Sequence, residues 1–78
     1  MENLKRYKEV YKKLFDIEDS KLESLEYQGI PEWDSISHME LMTALENVFS
    51  IEMDIDDIID FSSFNAGKII LAKYGIEI

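Results

Sequence analysis

The chain has 78 residues, no cysteine, one histidine and a formal net charge of −9 at pH 7. This length allows a single domain, residues 1–78, with an expected stability of about 4–12 kcal/mol. It leaves little room for a deep catalytic cleft, so we do not expect an enzyme. The missing cysteine and the single histidine exclude disulfides, thiolate metal sites and multi-histidine metal sites.

The excess negative charge lies between Leu22 and Gly67, where eleven acidic residues occur without any lysine or arginine. A field of this sign repels nucleic acid and anionic lipid, and it attracts basic protein surfaces. No apolar run approaches the roughly 20 residues of a membrane span, and the first residues lack the apolar core of a secretion signal. We therefore expect a cytoplasmic monomer with basic protein partners.

The first predicted element is a surface helix. Six apolar side chains recur at helical spacing and form one stripe, which consists of Leu4, Tyr7, Val10, Tyr11, Leu14 and Phe15. Residues 16–34 look irregular, because Gly29 and Pro31 break any helix there. Apolar anchors such as Leu22 and Trp33 indicate that this long loop lies on the core, with room for a short helical turn.

A second helix is predicted from about Ser35 to Ser50, with Ile36 and Met39 facing away from the core beside acidic residues. A short third helix should start near Asp54 or Asp56, and a last helix should follow the two serines of 62–63. We therefore expect an all-α fold, a small four-helix bundle with a long loop between helices one and two. The predicted core comprises Leu41, Leu45, Val48, Phe49, Phe61, Phe64 and Leu71.

The acidic run from Asp54 to Asp60 resembles the start of a calcium-binding loop. Such a loop needs glycine at its sixth position and glutamate at its twelfth, and these positions hold Ile59 and Asn65. The motif fails at both positions. A solvated helix face is the better interpretation, and we predict no metal site.

The start of helix two carries the most informative residues. Asp34 is a good N-cap, and Ser37 with Glu40 offers a competing capping box. Either choice puts Ser35 at the positive end of the helix, where an anion is favoured by about 0.3–1 kcal/mol. Ser35 is then either only a cap or the attachment point of a phosphodiester. Ser35 and His38 are not predicted to form a nucleophilic pair, because there is no G-x-S-x-G motif, and we expect His38 to be a packed or capping histidine.

At this point the chain resembles the acyl carrier proteins and the related peptidyl carrier domains. The segment DSISHMELMTALENVF is similar to the family's D-S-L-x-x-V-E-L-x-x-x-L-E-x-x-F, and the resemblance covers nearly the whole chain. It implies a stand-alone carrier whose Ser35 receives 4'-phosphopantetheine from coenzyme A through a magnesium-dependent phosphopantetheinyl transferase. The arm supplies the thiol that the chain lacks. Its thioester would carry an acyl or aminoacyl group, and part of the core would open to shelter an acyl chain.

The resemblance also implies a docking surface for loading and transfer enzymes with basic patches. Its expected contacts are the charged Asp34, Glu40 and Glu46, the apolar Ile36 and Met39, and Asp56 and Asp57 from helix three. Trp33 stands where fatty-acid carriers often have a small residue, which favours a specialised biosynthetic pathway over fatty-acid synthesis. The alternative hypothesis is an unmodified acidic helical adaptor that binds a basic protein partner.

Overall fold

The computed structural model describes residues 2–78. It has four α-helices in this range and one 3-10 helix, namely α1 (Glu2–Phe15), the 3-10 helix (Asp19–Ser24), α2 (Ser35–Phe49), α3 (Ile55–Asp60) and α4 (Phe64–Ala72). Within residues 2–78 the only extended pairing is an isolated antiparallel bridge between Glu26 and Ser63. The all-α prediction is therefore confirmed, including a short helical turn inside the long loop.

Helix α1 buries the stripe that its sequence predicts. Tyr7, Val10, Tyr11 and Phe15 are all buried, whereas the lysines of the helix lie on its other side. The Tyr7 hydroxyl donates to the backbone oxygen of Phe64 over 2.6 Å, which fixes α1 against the start of α4. Burial raises the pKa of the Tyr7 hydroxyl, so Tyr7 stays a neutral donor at ordinary pH.

The segment between α1 and α2 is fastened to the start of α4. The Tyr27 N–H donates to the backbone oxygen of Ser62 over 2.8 Å, and the Phe64 N–H donates to that of Leu25 over 2.9 Å. Leu22 and Leu25, which belong to this segment, are buried in the core. The loop therefore lies on the core, as its apolar anchors predict.

Trp33 joins the end of α1 to the start of α2. Its ring is fully buried, stacks on Phe15 at a centroid distance of 5.6 Å, and meets Tyr11 edge-on at 5.8 Å. Aromatic pairs of this kind add about 0.5–1.5 kcal/mol each beyond the area that they bury. Because the last residue of α1 contacts the residue just before the N-cap of α2, the two packed helices run antiparallel.

The core contains six of the seven residues predicted for it, and the prediction for Val48 is wrong. Val48 is 37% exposed, because it lies at the open edge of a groove between α1 and α2 and no neighbouring element covers it. Within residues 2–78 we find no helix with both the length and the apolar character required to cross a membrane.

Candidate functional site

The N-terminus of α2 is capped by Asp34 and not by a serine. Asp34 has extended backbone geometry, and its Oδ1 accepts the N–H of Ser37 over 2.8 Å. The Asp34 backbone oxygen accepts the first helical bond, from the His38 N–H over 2.8 Å. The bond from the Ser37 N–H holds the pKa of the Asp34 carboxyl below its ordinary value. Of the two capping arrangements left open by the sequence, the structure selects Asp34.

Ser35 is the first residue of α2, and its side chain is exposed. Because Asp34 supplies the cap, the Ser35 hydroxyl is not needed to satisfy the helix end. The N–H groups of Ser35 and Ile36 belong to the first turn, where no carbonyl of the helix can accept them. Together with the helix dipole they favour a negative group attached here, by about 0.3–1 kcal/mol.

His38 links the first turn of α2 to the end of α3. Its Nδ1 accepts from Trp33 Nε1–H over 2.9 Å, and its Nε2 lies 2.8 Å from the backbone oxygen of Ile58. Since a carbonyl can only accept, we assign the proton to Nε2 and the acceptor role to Nδ1. Both ring nitrogens are thus occupied, which confirms the packed histidine.

The outer face of α2 presents apolar side chains next to the candidate serine. Ile36 is 73% exposed and Met39 is 50% exposed, and Glu40 beside them is also exposed. Glu46 differs from expectation, because it is half-buried and its Oε2 accepts the Met53 N–H over 2.8 Å. Glu46 therefore stabilises the turn after α2, and this bond occupies one of its carboxylate oxygens.

Two aspartates of α3 were expected to contact partner enzymes, and one of them lies at the surface. Asp56 is exposed, whereas Asp57 is buried and faces α4. Lys73 Nζ lies 2.5 Å from Asp57 Oδ1, and the Tyr74 hydroxyl donates to Oδ2. The bond from Lys73 contributes most to lowering the pKa of the Asp57 carboxyl, and the bond from the Tyr74 hydroxyl lowers this pKa further. Asp57 thus fastens α3 to the chain after α4, and its expected role as a surface contact is corrected.

Two exposed apolar residues of α3 were missed by the sequence interpretation. Ile55 is 65% exposed and Ile59 is 70% exposed. They are four residues apart and therefore share one face of the short helix, with Asp56 and Asp60 next to them in sequence. The i, i+4 spacing of two isoleucines within an acidic hexapeptide is the signal that could have identified this face.

Comparison of the chain with protein-family models, with curated proteins and with solved structures found no match. Three features of the chain itself define the candidate site. These are an exposed serine at a helix N-terminus, an aspartate that caps this helix, and acidic and apolar side chains around them.

Proposed function

We propose that this chain is an acyl carrier protein, a four-helix carrier domain whose Ser35 holds a 4'-phosphopantetheine arm. The observation that carries the proposal is the exposed Ser35 side chain at the first position of α2, with the capping role already taken by Asp34. A serine in this position can be esterified without loss of a structural hydrogen bond. The chain itself is not an enzyme in this proposal, and it acts in the cytoplasm.

The residues around Ser35 suit a phosphodiester. The positive end of the helix dipole at the first turn of α2 favours its negative charge. The nearest carboxylate in sequence, Asp34, accepts a hydrogen bond from the Ser37 N–H and lies at the same positive helix end. When bound, the arm would supply the terminal thiol on which an acyl or aminoacyl group is carried, and the chain has no cysteine that could do so.

Partner enzymes would approach over the start of α2. Ile36 and Met39 offer the apolar part of the contact, and Glu40 offers charge for a basic patch. Asp56 extends the acidic part from α3. Apolar side chains supply affinity at such a contact, whereas the surrounding charges mainly raise the rate of encounter. The partners are a phosphopantetheinyl transferase and the enzymes that load or receive the carried group.

The proposal is tested by intact mass after incubation with coenzyme A, magnesium and a phosphopantetheinyl transferase of broad specificity. The wild type is expected to gain one phosphopantetheine. Ser35→Ala should gain nothing and should stay folded within about 0.5 kcal/mol of the wild type, since it alters an exposed side chain that forms no cap. Ser37→Ala is the matched control in the same helical turn, and it should be modified like the wild type.

An unmodified wild type, in a reaction that modifies a known carrier, would overturn the carrier proposal. The acidic adaptor would then be the better account. One observation favours it independently of Ser35, namely the exposed Ile55 and Ile59 beside Asp56 and Asp60 on α3. A basic, apolar partner could bind there without any modification of the chain.

A further inference from the structure

A groove of about 720 Å³ runs between α1 and α2, outside the core. Its floor is apolar and consists of Val10 and Leu14 from α1 and Ala44 and Val48 from α2. The two floor residues of each helix are four residues apart, so the floor follows both helix axes. Within residues 2–78 only α1 and α2 line this groove, and Val48 is left 37% exposed at its edge.

The α1 edge of the groove is basic, unlike the middle of the chain. Helix α1 carries five basic and two acidic residues, whereas residues 22–67 carry eleven acidic residues and no lysine or arginine. Arg6, Glu9 and Lys13 form this edge. Among residues 2–78, the ion pairs with a nitrogen–oxygen distance of 4.0 Å or less involve other lysines. Arg6 and Lys13 can therefore pair with carboxylates of a partner without breaking an ion pair of the chain.

The α2 edge of the groove has the opposite charge. A neighbouring depression shares Ala44 with the groove and is also lined by Glu40. Glu40 comes four residues before Ala44, which is about one helical turn. A carboxylate brought to this edge would be repelled, whereas a neutral or basic side chain would not. The two edges thus determine how an occupant is oriented, with its acidic residues toward α1.

We propose that this groove binds an amphipathic helix of a partner protein, whose apolar stripe is flanked by acidic residues on the side that faces α1. Helices bind apolar grooves through anchors spaced i, i+3, i+4 and i+7. Arg6 and Lys13 are seven residues apart, or about 10 Å along α1. Carboxylates two turns apart on the partner helix therefore match both cations. This acidic partner differs from the basic enzymes proposed to approach the start of α2.

The groove lies on the other side of α2 from Ser35. Ala44 follows Ser35 by nine residues, which is about two and a half helical turns and places the two residues on opposite faces. Ser35 is not among the residues that line the groove. A helix in the groove therefore leaves Ser35 accessible, and its binding does not depend on modification of this serine.

Two other occupants fit the observations less well. A second copy of the chain would bring together two molecules of charge −9, which repel each other. A small amphiphile would be poorly enclosed, because small-molecule sites usually bury most of the ligand in a concave pocket, whereas two helices alone line this groove. A partner helix is covered by its own protein on the side that the groove leaves open.

The experiment uses two synthetic helical peptides of about 18 residues, a length at which an isolated helix can form. The first has leucines at i, i+3, i+4 and i+7 and two glutamates seven residues apart along one side of this stripe. The second is identical but carries lysines in place of the glutamates. Methyl NMR titrations record where each peptide binds and how tightly. We expect the glutamate peptide to shift the methyl groups of Val10, Leu14, Ala44 and Val48, and to bind there about tenfold more tightly than the lysine peptide.

Variants separate the floor from the charged edge. Val48→Glu changes a partly exposed side chain, so it should keep its helicity and should weaken binding of the glutamate peptide about tenfold. The double variant Arg6→Gln/Lys13→Gln should weaken it about 2–10-fold and remove most of the preference over the lysine peptide. The matched control is Lys5→Gln, which removes an exposed charge of α1 outside the groove and should preserve the preference. Ser35→Ala should bind like the wild type.

The docking proposal would be overturned if the glutamate peptide left the groove methyl groups unchanged, or if both peptides bound there equally. Shifts that appear when the protein concentration alone is raised would assign the groove to a second copy. Shifts with octanoate as large as those with the peptide would assign it to a small amphiphile, and either result would also overturn the proposal. A chain that binds the peptide but gains no phosphopantetheine would refute the carrier function alone. A chain that gains the arm but binds no peptide would refute the docking proposal alone.

Discussion

Trp33→Phe tests how the start of α2 is held in place. The substitution keeps a ring on Phe15 and Tyr11 but removes the Nε1–H that donates to His38 Nδ1 over 2.9 Å. An unpaired, partly buried acceptor costs about 1–3 kcal/mol. The smaller ring also leaves buried volume unfilled, and this destabilises the protein further. The added cost is less than the roughly 3–5 kcal/mol of a complete truncation to alanine. We expect a total loss of about 2–4 kcal/mol out of the roughly 4–12 kcal/mol available.

The assay is urea unfolding followed by far-ultraviolet circular dichroism, since the variant lacks the only tryptophan. The expected loss corresponds to a fall in melting temperature of roughly 8–30 °C. Tyr27→Phe is the matched control. Its ring also contacts Trp33, at a centroid distance of 6.2 Å, and it loses only a partly exposed hydroxyl, so a change within about 0.5 kcal/mol is expected. A loss below about 0.5 kcal/mol for Trp33→Phe would refute the role given to this hydrogen bond.

Three further predictions concern packing, acid stability and docking. Gly67→Ala should destabilise by about 1–3 kcal/mol in thermal melts, because a Cβ there would collide with the Tyr7 hydroxyl and Phe61; a gain in stability, as for an ordinary helical glycine, would contradict the packing. Because folding lowers the pKa of Asp57, its ionised carboxylate stabilises the folded state. This stabilisation is fully present above the unfolded pKa of about 3.9, and it is lost as the pH falls through the folded pKa. Melting temperatures from about pH 6 to about pH 2 should therefore fall more steeply for the wild type than for Asp57→Asn, and parallel curves would contradict this. Glu40→Lys should slow association with a loading enzyme about 2–5-fold in stopped-flow measurements, whereas the exposed control Glu52→Lys should not, and equal effects would show that the docking face is wrongly assigned.

The sequence is most informative where a local pattern determines the structure. The period of the apolar residues predicts α1, and the caps predict the starts of α2 and α4, because both signals act within a few residues. Ser63 accepts the Ala66 N–H over 2.9 Å, which decides between the two serines that could cap α4. The exposed Ile36 and Met39 follow from the same periodicity, since they lie opposite the buried face.

The errors arise where a distant partner decides the environment. Asp57 belongs to an acidic run, but Lys73, sixteen residues further along, draws its carboxylate into a buried contact. Val48 has the period of a core residue, yet the spacing of α1 and α2 leaves it beside a groove. The Glu46 carboxylate accepts the Met53 N–H, and the two groups lie close together only because the chain turns after α2. No pattern within one helix contains this information.

Peptide mapping by tandem mass spectrometry tests the central claim most directly. The chain is first incubated with coenzyme A and a phosphopantetheinyl transferase, and it is then digested so that each serine can be assigned. The carrier account predicts one phosphopantetheine, attached to Ser35 at the exposed start of α2, with Ser37 unmodified in the same peptide. Attachment to Ser37 or to any other serine, or the absence of attachment while a control carrier is modified, would contradict it.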